Sequence, residues 1–160
     1  MFDLANALLW GLLASIAMIA ILQGSQSLRL SRLNLPFLVG TVFAAERHCA
    51  VILGLILYLV GGWLFAFLYV WIFESLGFAT AWLGGLIGLF HGLALLTCMP
   101  LLPYVHPRIA SEYDGPSGER RIEPPGTFGL NYGARTPLTT LLAQVVYGGI
   151  LGAFYPVTGG

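Results

Sequence analysis

Residues 50–73 run for 24 positions without Asp, Glu, Lys or Arg, and residues 79–99 run for 21 more. A hydrocarbon core about 30 Å thick is crossed by roughly 20 mostly apolar helical residues. That core offers nothing to bond a bare backbone N–H or C=O, so a spanning segment must satisfy its own backbone as a helix or within a closed barrel. Residues 4–22 add a third uncharged run, and residues 138–155 a fourth, interrupted by Thr139, Thr140 and Gln144. The expected fold is an all-α integral membrane protein: four transmembrane helices in a compact bundle, forming a single transmembrane domain over residues 1–160.

Composition agrees with a body embedded in lipid. Hydrophobic residues make up 58% of the chain and charged residues 9%. All seven basic residues are arginine and seven acids balance them. With no basic arm or arginine stripe, nucleic-acid binding is not expected. The opening MFDLANALLWG has no positive charge ahead of its apolar run, which also exceeds the usual 7 to 15 residues of a signal-peptide core, so a retained first span is expected. Cys49 and Cys98 stand near span ends, where they read as small apolar residues rather than as a disulfide or metal pair.

The arginines give the orientation. All seven lie in the two loops at 23–49 and 100–137, and none lies in the terminal segments or in the tight turn at 74–78. The positive-inside rule then places both loops in the cytoplasm and both termini outside, as in a bacterial cytoplasmic membrane. Tyr69, Trp71, Phe73, Phe78 and Trp82 bracket the outer turn and are expected at headgroup level. Glu74, in the same turn, is expected to be a solvated acid, with a ligand or proton site as its alternative.

The first loop carries the apolar stretch NLPFLVGTVFAA at 34–45, too short to cross. It is expected to be re-entrant, to lie in the interface, or to begin a long bent second helix. The second loop is rich in Pro and Gly, which disfavours long regular elements. Its ERRIE segment at 119–123 reads as a solvated face.

Gly84, Gly88 and Gly92 recur every four residues along one ridge, and Gly148 and Gly152 repeat that spacing. Small residues allow close backbone approach in lipid. They predict a tight helix core, with association to other membrane subunits or to a second copy through the same glycines.

Depth arithmetic at 1.5 Å per residue, counted from the arginine-bearing ends of the spans, brings Ser15, Tyr58, His91 and Gln144 to a similar level. One role for His91 is to lock helix register by bonding to Tyr58, Gln144 or a backbone carbonyl. The other is to carry protons or to ligate a heme or transition metal, with Tyr58 and Gln144 beside it and room next to Gly88 and Gly92. A second candidate is a metal group of Glu46, His48 and His106 at the inner face, with Cys98 and Met99 as soft donors nearby. No catalytic motif is present: GxxxxGK[ST], HExxH, CxxC and GxSxG are all missing, and no serine has an evident base. A small accessory or structural subunit of a larger membrane complex is therefore the first expectation. A redox, heme or metal enzyme using His91 or Glu46, His48 and His106 is the second, and a small transporter acting as an oligomer the third.

Overall fold

The computed structural model describes residues 2–112 and 114–157. It is 73% helix, with no strand among the described residues. Four helical stretches are long and apolar enough to cross a membrane: Leu4–Ser27, Arg47–Leu76, Ala81–Val105 and Thr136–Phe154.

In chain order the helices are α1 (Leu4–Ser27), α2 (Leu35–Phe43), α3 (Arg47–Leu76), α4 (Ala81–Cys98), the single turn α5 (Leu102–Val105) and α6 (Thr136–Phe154). A 3₁₀ turn, Met99–Leu101, links α4 to α5 and prolongs the third span to Val105. Helix starts follow from short polar side chains that accept hydrogen bonds from the otherwise unpaired first-turn N–H groups. Asp3 Oδ1 accepts from Asn6 N at 3.0 Å, and Asn34 Oδ1 from Phe37 N at 3.0 Å. Thr80 Oγ1 accepts from Leu83 N at 3.4 Å. At the start of α3, Glu46 uses both oxygens, accepting from the backbone of His48 and of Cys49 at 2.8 Å each. Its carboxyl is held down to about 2 by the Cys49 side chain first, then by those two N–H groups.

The apolar stretch of the first loop is the nine-residue α2, with Pro36 in its first turn. It does not begin a long second helix, because Ala44 is extended at φ −123°, ψ 133° and separates it from α3. The described residues of the second loop hold α5, a 3₁₀ stretch at Thr127–Tyr132 and two isolated bridges, Ile109 with Ile122 and Ser111 with Gly115.

Two compact units emerge, and the dividing points fall inside all four long helices. The first comprises the described residues of Met1–Leu22, Leu59–Gly92 and Thr140–Gly160. Its core is a close contact of α4 with α6. A Cβ on Gly84 would stand 1.9 Å from Gly148 O, one on Gly88 2.1 Å from Gln144 O, and one on Gly152 2.1 Å from Thr80 O. Only hydrogen fits at those positions. Ser15 Oγ donates to Gly11 O at 2.7 Å and occupies the space a Cβ on Gly62 would need. At one edge of this unit Tyr155 Oη donates to Glu74 Oε1 at 2.8 Å and accepts from Asp3 N at 3.2 Å. Burial and the neighbouring carboxylate push that phenol up to about 12.

The second unit comprises the described residues of Gln23–Tyr58 and Leu93–Thr139. Here α2 packs on the start of α3 with backbone nearly touching backbone: a Cβ on Gly40 would meet Ala50 O, and one on Gly54 would meet Pro36 O at 2.0 Å. Arg32 fastens the second loop, pairing with Glu123 at 3.1 Å, donating to Asn131 O and bonding through its own N–H to Tyr132 O at 2.7 Å.

Candidate functional site

In the first unit the positive φ of Gly77 (75°) ends α3 and turns the chain toward α4. Tyr69 on α3 and His91 on α4 meet, Tyr69 Oη lying 3.1 Å from His91 Nδ1. Tyr69 is fixed from every side. Its ring stands edge-on to Tyr147 (centroids 5.4 Å, 90°) and to Phe73 (6.4 Å, 79°), and only 1% of it is exposed. Tyr147 is fixed in turn, its Oη donating to Gly62 O at 2.5 Å. Phe65 lies over the imidazole at a centroid distance of 4.2 Å and 35°.

His91 itself is half-buried, and its Nε2 has no hydrogen bond among the described residues. A neutral imidazole carries one proton. If Tyr69 donates to Nδ1, Nε2–H is a free donor. If Nδ1–H donates to the phenol oxygen, Nε2 offers a lone pair, the arrangement in which one ring nitrogen is oriented by hydrogen bonding while the other ligates.

Three expectations about this site need correction. The tyrosine bonded to His91 is Tyr69, not Tyr58, which belongs to the second unit. Gln144 does not bond His91: its Cβ and Cγ pack where a Cβ on Gly92 would be, at 3.2 and 3.3 Å, and its Oε1 has no partner among the described residues. Gly88 and Gly92 leave no room for a cofactor, because α6 fills that side. Of the five outer aromatics, Tyr69 and Phe73 are buried, while Trp71, Phe78 and Trp82 are exposed.

A second buried polar atom, Thr140 Oγ1, also has no partner among the described residues. It stands one turn from Gln144 on α6. Buried groups left this way cost about 1–3 kcal/mol each.

In the second unit Glu46, His48 and His106 do not form a metal group. Among the described residues no three His, Cys, Asp or Glu side chains lie close enough to hold a metal ion. The reason is that the donors are used elsewhere. His106 is buried, with Nε2 2.9 Å from Leu38 O and 3.3 Å from Thr41 Oγ1, while its Nδ1 accepts from Arg108 N at 3.1 Å. A nitrogen that accepts from an N–H is unprotonated, so the proton sits on Nε2 and is donated to the carbonyl. Glu46 caps α3, and His48 is exposed. His106 thus fastens α2 to the segment after α5.

Sequence reasoning missed Tyr69, placed at headgroup level by its nearness to the turn. It also missed the buried pair Ser31 Oγ and Thr136 Oγ1, 2.8 Å apart. A signal for Tyr69 existed: two helices joined by a short turn run antiparallel, so residues at similar distances from the turn share a level. Ser31 and Thr136, 105 positions apart, left no such trace. No protein-family model, curated protein or solved structure matches this chain.

Proposed function

We propose that this protein is a small accessory subunit of a larger membrane assembly, a four-helix bundle that docks through the lateral face of α3 and α4. The observation carrying this reading is His91. It lies within an α4 otherwise made of apolar residues, Gly and one Thr, among exposed Leu64, Phe65, Leu68 and Phe90, with Nε2 unbonded among the described residues. A polar group facing hydrocarbon is costly, and intramembrane ionisable residues ordinarily face a partner or a cavity. A polar side chain on a neighbouring subunit would satisfy Nε2 across the contact. The glycines once expected to serve association are occupied within the chain by α4 and α6, which leaves the α3–α4 face for partners.

The orientation that goes with this reading keeps the loops at 23–49 and 100–137 in the cytoplasm and both termini outside, in a bacterial cytoplasmic membrane. In it, α2 lies at the inner interface, since nine residues rise only about 14 Å.

The second reading, favoured by the Tyr69 bond to Nδ1, makes His91 the ligand of a heme or a transition-metal centre held at the same face. Extraction of the tagged full chain in mild detergent, followed by mass spectrometry and an absorption spectrum, separates the two. A stoichiometric, non-identical membrane protein, reduced about tenfold by His91→Leu, is the expected result. Visible absorbance or bound metal that is lost in His91→Leu would favour the cofactor instead. A colourless, metal-free protein purified alone would overturn both.

A further inference from the structure

The second unit contains a cleft of about 600 Å³ between α2 and the segments that follow α5. Its size falls in the range of small-molecule sites. Its lining combines apolar Phe37, Ala45 and Ile122 with the cationic Arg108 and Arg121.

Both arginines are held in place. Arg108 donates through Nη1 to Thr41 O and to Val42 O, the latter at 3.1 Å. It thereby caps the end of α2, where carbonyls lack helical partners and a cation is favoured. Its backbone is pinned by Ile122 N donating to Arg108 O at 3.0 Å, and Ala110 N donating to Ile122 O at 2.8 Å. That bridge also fixes the residue next to Arg121. Arg121 Nε donates to Gly118 O at 2.8 Å. Among the described residues no hydrogen bond reaches Arg108 Nη2 or either Nη of Arg121. Two oriented guanidinium groups with free N–H donors suit a phosphate, which their planar forks match.

The level of the cleft says which phosphate. The third span ends at Val105, and Pro107 and Arg108, two and three residues on, line the cleft. Arg108 is therefore within about 10 Å of chain from the end of that span, the level at which phospholipid headgroups are expected. Close in sequence to its lining residues, Leu101, Tyr104, Val105 and Phe43 are exposed, as residues that meet acyl chains would be. Glu119 also lines the cleft. Its carboxylate offsets one of the two positive charges, leaving a net charge that fits a singly charged phosphodiester and disfavours a doubly charged free phosphate.

We infer that this cleft binds the phosphodiester headgroup of a membrane phospholipid, its phosphate on Arg108 and Arg121 and its chains against Phe37, Ala45 and Ile122. The site is independent of the docking role given to His91, since it lies in the other unit and uses none of the same residues.

The test is native mass spectrometry of the full chain, extracted from vesicles of phosphatidylcholine containing a minor fraction of phosphatidylglycerol. The wild type should retain one phosphatidylglycerol. Arg121→Gln should lower its occupancy about tenfold, while Arg29→Gln, altering an exposed arginine outside the cleft, should leave it unchanged. Glu119→Gln should raise retention several-fold, and excess inorganic phosphate should not displace the lipid. Equal retention by the wild type and Arg121→Gln would overturn the inference, as would equal loss in Arg29→Gln, which would mean unspecific attraction. Displacement by inorganic phosphate would reassign the cleft to a soluble anion. Were Arg121→Gln to misfold, Glu119→Gln keeps the question decidable, because unchanged or weaker retention there contradicts the electrostatic argument.

Discussion

Ser31 and Thr136 show how much of the second unit depends on pairs of small polar side chains. Both are buried, and their hydroxyls bond each other at 2.8 Å. Ser31 Oγ also accepts from Leu33 N at 3.1 Å, which sets the turn leading into α2. Ser31→Ala should destabilise the protein by about 1–3 kcal/mol by leaving Thr136 Oγ1 unsatisfied. Thr136→Val in that background should add little, because the two losses share one bond. Unfolding of both single variants and the double variant in detergent measures the coupling, and additive losses would contradict a direct bond. Glu46 is a different case. Its carboxyl is exposed and ionised down to about 2, so its cap on α3 is complete above the ordinary carboxyl range near 4.5 and weakens only as pH falls toward 2.

At the scale of the element, the α4–α6 contact sets the strictest sequence requirement. Gly88→Ala would drive a methyl into Gln144 O, and relieving the clash should cost about 1–3 kcal/mol or more. Gly61 on α3 has nothing within 4 Å of its would-be Cβ. Gly61→Ala should therefore be neutral or stabilise by up to about 1 kcal/mol through helix propensity. Thermal melts of the two variants in the same detergent give the comparison, and equal losses would disprove the packing argument. The helices themselves were legible, since their apolar runs exceed what any loop could hide in lipid. Their ends were not. α1 continues to Ser27 through QGSQS, because helical hydrogen bonding does not require apolar side chains, and Ser27 Oγ satisfies itself on Gln23 O. The third span passes Pro100 and Pro103 to reach Val105. The first-turn positions those prolines occupy need no N–H donor. The error over His91 came from counting depth from the far ends of the spans: counted from the shared outer turn, His91 lies 10 residues past Ala81 and Tyr69 lies 7 before Leu76, a similar level. The metal group of Glu46, His48 and His106 failed for another reason. Proximity along the sequence to one membrane face says nothing about which lone pairs the fold has already engaged.

For the whole molecule the decisive question is which side of the bilayer holds the arginines. Single cysteines placed by Arg29→Cys, Pro116→Cys or Phe78→Cys in a chain lacking Cys49 and Cys98 can be labelled with a membrane-impermeant maleimide in intact cells. The positions at 29 and 116 should be protected and the one at 78 modified. Opposite results for 29 and 116 would refute the four-span topology. The Tyr155 phenol, which joins Asp3 to Glu74, has a practical corollary for work on the protein. Hydropathy invites removal of everything after Phe154 as a dispensable tail, yet that cut would untie the amino-terminal segment from the end of α3. Deletions and fusion tags are therefore better directed to the solvated stretch near Pro116.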